Sequence, residues 1–194
     1  MPARLRLVTP SIRPGGFLGS YQVLGFGVTL TADTGNTPYF SFRWAPTSGQ
    51  NCLVRVVQLH VMTRAATTVN PLFGAFIARS FTLADSVGTS LLTSITKNQS
   101  AFPTSLVNDV RQGAASGVTS GTRTLDGSPF YQYMTGNAAQ QASANPRWGG
   151  DDCSPILLAS GEGIVLNQQA VLGAGSASYS FHLEWDEYER GAAI

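Results

Sequence analysis

In the segment Ser178-Tyr179-Ser180-Phe181-His182-Leu183-Glu184-Trp185-Asp186-Glu187, the residues Tyr179, Phe181, Leu183 and Trp185 alternate strictly with Ser180, His182, Glu184 and Asp186. Successive side chains of a strand point to opposite faces, so this segment has one apolar and one polar face. A helix would scatter the same apolar residues around its circumference. The segment is therefore a half-buried antiparallel strand, and two layers of such strands close a sandwich.

Upstream segments repeat the pattern. Leu24, Phe26, Val28 and Leu30 alternate with Gly25, Gly27, Thr29 and Thr31, and Asp33-Thr34-Gly35-Asn36 reads as a turn. Phe40, Phe42 and Trp44 share one parity, with Tyr39, Ser41 and Arg43 on the other. In the run 52–64, Val57, Leu59 and Val61 oppose Val54, Val56, His60 and Met62, which predicts a strand covered on both faces. Segments 71–83 and 90–96 add further strands, and 155–160 and 163–166 flank a Ser160-Gly161-Glu162-Gly163 turn. These elements predict an all-β, antiparallel β-sandwich, with a jelly roll as the leading version.

Residues 1–16, ending Arg13-Pro14-Gly15-Gly16, read as an extended arm, and 17–194 as a single domain. Around 100–152 the chain turns rich in Gly, Ala, Ser, Gln and Asn, which predicts a long loop-rich insertion with room for a brief helix near 106–111.

The chain has 194 residues, enough for one core without disulfides. Charged residues are only 12%, while hydrophobic residues are 43%. Such a surface loses little solvation when covered, which suits a protein packed against others. A composition bias of a GC-rich genome, with eleven Arg against the lone Lys97, explains the same numbers. The net charge of +1 argues against a general nucleic-acid binder. Neither a secretory signal nor a membrane-length apolar run is expected, so Cys52 and Cys153 are read as reduced thiols.

Catalytic signatures are sparse. No Gly-x-Ser-x-Gly occurs, and the chain's histidines are His60 and His182. His182 shares a face with Glu184 and Asp186, a set that suits a metal but is equally a plain polar strand face. Asp151-Asp152-Cys153 lacks a partnering His or second Cys, and Asn98-Gln99-Ser100 is a sequon without an export signal. The expectation is a non-enzymatic chain with no cofactor and no metal. The candidate interaction residues are Arg4, Arg6 and Arg13 of the arm, with Phe130, Tyr131, Tyr133 and Trp148 of the insertion. Those rings have three uses open to them: packing on their own sandwich, contacting a neighbouring subunit, or stacking on a sugar.

The segments 156–166, with its Leu158-Ala159-Ser160-Gly161-Glu162-Gly163 turn, and 178–187, ending Glu184-Trp185-Asp186-Glu187, resemble the end of small β-sandwich virion proteins of tailed bacteriophages. The two segments make up 21 of the chain's 194 residues. It implies a capsid cement or decoration protein on the virion surface. Its partners would be the major capsid protein lattice and copies of itself, as a dimer or trimer. A glycan-binding head-fibre or tail-associated module, using the insertion's aromatics, is the alternative.

Overall fold

The computed structural model describes residues 16–31, 37–113, 117–134, 136–139, 147–149, 154–169 and 172–191. Among the described residues thirteen strands form two antiparallel sheets, and the only helical element is the 3-10 turn Leu92–Ser94. The long strands are β1 (Phe17–Thr31), β2 (Thr37–Trp44), β3 (Asn51–Ala65), β4 (Leu72–Leu83), β12 (Glu162–Gln168) and β13 (Ser176–Tyr188). The short ones are β5 (Thr89–Ser90), β6 (Thr96–Lys97), β7 (Asp109–Gln112), β8 (Thr122–Leu125), β9 (Tyr131–Met134), β10 (Arg147–Gly149) and β11 (Ile156–Leu158).

Sheet A runs β10-β3-β13-β1-β6, with β11 also on β3; sheet B runs β5-β7-β2-β12-β4-β8, with β9 also on β4. The inward face of β13 is the alternating series of the sequence: Ala177, Tyr179, Phe181, Leu183 and Trp185 are all buried. Phe181 meets Phe40 of the opposite sheet at 4.0 Å between ring centroids, and Trp185 meets Phe42 at 5.0 Å. These rings join the two sheets into one core, and burial of such side chains is the main stabilising term.

Two β-bulges change the parity read from sequence. In β1 the register to β13 shifts between Gly25 and Val28. As a result Val23 is buried at 1% exposure, whereas Leu24 is 43% exposed. In β3 the register shifts opposite Glu184 and Trp185, where Arg55 is the extra residue. Cys52 and Val54 thereby join Val57, Leu59 and Val61 on the buried face, and His60 and Met62 are half-buried rather than covered. One extra residue moves every later side chain to the other face, and an alternation count cannot see it.

Further differences concern 100–152. The expected helix near 106–111 is instead β7, paired with β2 from Phe40↔Gln112 to Arg43↔Asp109. The stretch expected to be loop-rich also carries β8, β9 and β10, each paired to a long strand.

Candidate interaction surface

The candidate aromatics lie on or beside β9, whose register to β4 pairs Ala75↔Tyr131 and Phe73↔Tyr133. Phe130 donates its backbone N–H to the Ala75 carbonyl at 2.9 Å. Phe130, Tyr131 and Tyr133 are half-buried and pack against the main core. Alternation along β9 leaves Gln132 and Met134 as its exposed side chains. Burial, helped by nearby Tyr133, pushes the Tyr131 hydroxyl up to about 12, and that oxygen has no hydrogen-bond partner. Trp148 lies on β10, at the register position of Val57. Arg4, Arg6 and Arg13 lie outside the described residues. Phe130, Tyr131 and Tyr133 are thus brought together on the core at one edge of sheet B, with Trp148 on the other sheet.

The outer face of sheet A is polar and cross-linked. His182 Nε2 lies 3.0 Å from Gln22 Oε1 and 3.3 Å from Glu184 Oε1. Arg55 Nε lies 3.2 Å from Asp186 Oδ2, and its Nη2 lies 3.9 Å from Glu184 Oε2. The Arg55 Nη2 also donates to Ser20 Oγ at 2.9 Å. Among the described residues no group of three or more His, Cys, Asp or Glu is placed to hold a metal ion.

Glu187 follows Trp185 in the inward parity and ends inside the sandwich at 0% exposure. Its Oε1 accepts hydrogen bonds from Ser105 Oγ at 2.5 Å, the Leu106 N–H at 3.1 Å and Trp185 Nε1 at 3.0 Å. The carboxylate thus ties the segment between β6 and β7 to β13. Burial holds its carboxyl above the usual range, against the opposing pull of these donors. Sheet B has its own buried charge. Asp85 is paired with Arg123 and accepts the Gly121 N–H at 2.7 Å, while the Arg123 guanidinium lies over the Phe81 ring at 5.1 Å. Cys52 is a buried free thiol; Cys153 lies outside the described residues.

Glu187 closes the acid-rich run Glu184-Trp185-Asp186-Glu187, yet its parity with Trp185 already points inward. Arg55 carries no motif, and Asn98 stands out in the sequence only as part of a sequon. Comparison with protein-family models, curated proteins and solved structures finds no match.

Proposed function

We propose that the sandwich is a jelly roll and that the chain is a non-enzymatic virion structural protein. In this role it is a cement or decoration subunit on a bacteriophage capsid, binding the major capsid protein lattice and copies of itself. Strand pairing supports the jelly roll. β1 pairs with β13, β2 with β12, β3 with β10 and β11, and β4 with β8 and β9. The second half of the chain thus retraces the first in reverse order, as a long hairpin does when rolled up. With β8/β9 and β10/β11 each taken as one interrupted strand, the chain visits eight positions, the number in a double Greek-key roll. The segment carrying β5, β6 and β7 is extra to that scheme.

The observation that carries the virion role is this strand order on a chain with only 12% charged residues. Viral shells are a recurrent use of the jelly roll, and a weakly charged surface is cheaply covered. Fold alone does not assign function, so the surface must contribute. Leu83, Val87, Met134 and Leu157 are each more than half exposed and lie on separate segments. The accessible surface of 9882 Å² leaves room for several interfaces of about 800 Å² per partner. Repeated over a lattice, modest contacts of this kind add up to high avidity.

Light scattering over a concentration series tests the preassembled form. A concentration-independent dimer or trimer supports it, and a monomer at every concentration counts against it. Removal of residues 1–16 is expected to leave the sandwich folded and to lower its occupancy on capsids. Unchanged occupancy would exclude the arm as the contact.

A further inference from the structure

Of the long strands, β2, β3, β4, β12 and β13 are each hydrogen-bonded to neighbours on both sides. β1 is different. Its inner side pairs with β13 along its length, but among the described residues its outer side meets only β6, at Tyr21 and Gln22. The Asn98 N–H adds one bond to the Ser20 carbonyl at 2.9 Å. Among the described residues that side is open from Val23 to Thr31.

Along an antiparallel strand the main-chain groups of successive residues aim at alternate neighbours. Ser20 aims at the β6 side, so Gln22 and Leu24 aim the same way, and Leu24 begins the unused donors and acceptors. Folded proteins blunt such an edge with a charge, a proline, a bulge or a very short strand. β1 holds no charged residue and no proline in its 15 residues. The chain's lone Lys97 lies on β6, over the stretch that is already covered. The bulge between Gly25 and Val28 bends the strand, but the ladder to β13 resumes at Val28 and runs to Thr31. Beside the opening, the Leu24 side chain is 43% exposed.

A second copy of the same edge fits this surface. At ~3.3 Å per residue the open run is about 30 Å long, and two sheets ~10 Å apart with their side chains make it ~20 Å deep. The footprint is on the order of 600 Å² per copy, at the lower end of stable interfaces. Antiparallel strands pair about a two-fold axis, so one contact fills the edges of both copies and leaves neither open. A neutral edge also meets itself without setting like charges against each other, which a charged edge could not do. We propose that copies of this chain join as a dimer through β1, from Val23 to Thr31, merging their A sheets into one. The inference rests on the self-association proposed above and supplies its contact surface.

Sedimentation of the full chain across a concentration series reads the mass, and hydrogen exchange with mass spectrometry reads the amides of 23–31. A dimer is expected, with those amides exchanging more slowly than in the diluted monomer. Leu24→Lys puts like charges on the two facing edges and should raise the dissociation constant about tenfold or more. Thr29→Lys, at an exposed position beyond the bulge, should do the same and decides the matter if Leu24→Lys does not fold. Thr124→Lys, exposed on β8 of the other sheet, is the control and should leave the constant unchanged. A monomer at every concentration overturns the proposal together with self-association. A trimer overturns it as well, because a two-fold edge contact closes at two copies. A dimer unaffected by the folded β1 variants overturns the edge contact while self-association through another surface stands.

Discussion

Truncating Glu187 to alanine should destabilise the domain by about 2–4 kcal/mol, and the structure says where that comes from. The Trp185 Nε1–H, buried inside the sandwich, loses its acceptor. An orphaned buried donor costs about 1–3 kcal/mol. The missing methylene adds about 0.8 kcal/mol. Ser105 and Leu106 lie nearer solvent and recover part of their loss by hydration. Glu187→Gln should cost less, because Oε1 accepts from Ser105, Leu106 and Trp185 and an amide oxygen can take its place, so that what is lost is the share of the Leu106 N–H that Oε2 accepts at 3.0 Å. The weaker neutral acceptor is offset by relief from burying a charge, so the net change should stay within about 1 kcal/mol. A pH dependence accompanies this. Burial raises the folded-state carboxyl above its ordinary 4.5, so the folded chain holds that proton more tightly than the unfolded one. The group's contribution is therefore full below about 4.5 and is lost as pH climbs through the raised folded value. Urea unfolding followed by tryptophan fluorescence, from about pH 4.5 to about 8, measures both effects. Glu187→Gln should flatten part of the slope. A remainder is expected from Asp109, which burial also raises. Two results would refute this reasoning: Glu187→Gln as costly as Glu187→Ala, or Glu187→Ala costing under about 0.5 kcal/mol.

Other substitutions probe other parts of the fold. Gly25→Ala would drive a methyl into the Phe181 ring and to within 2.6 Å of Gln112 Oε1, so a loss of about 1–3 kcal/mol is expected in thermal unfolding. Gly127→Ala, with nothing within 4 Å of the new methyl, should stay within about 0.5 kcal/mol and serves as the control. Arg123→Ala leaves Asp85 charged and buried and should cost about 3–5 kcal/mol in denaturant unfolding. Burial pushes the Cys52 thiol well up, so in a Cys153→Ser background it should react with a thiol reagent only as fast as the domain opens. Prompt labelling of the native protein would contradict that burial.

Legibility in the sequence followed burial. β13 and the Phe40, Phe42, Trp44 series of β2 were readable because each has an apolar face against the opposite sheet. Readability failed at the bulges: Leu24 and Val54 were misassigned because one unpaired residue inverts parity without any compositional mark. β7 carries Asp109 and Arg111, joined at 3.0 Å, in a four-residue strand, too short for either periodicity to register. The aromatics of 130–133 drew attention as a cluster, but only the register to β4 seats them on the core. The open edge of β1 was invisible for another reason. Which strands flank it is set by the sheet order, which its own residues do not carry.

The central claim is a structural place in a virion, and counting the chain in purified particles tests it most directly. Quantitative mass spectrometry of virus particles released from cells that carry the encoding gene, banded by density and stripped of empty debris, should find it at a fixed multiple of the capsid's symmetry number. Extraction under mild conditions should release it from an intact shell, as expected of an outer brace. Its absence from particles, while abundant in the same lysate, would contradict the account.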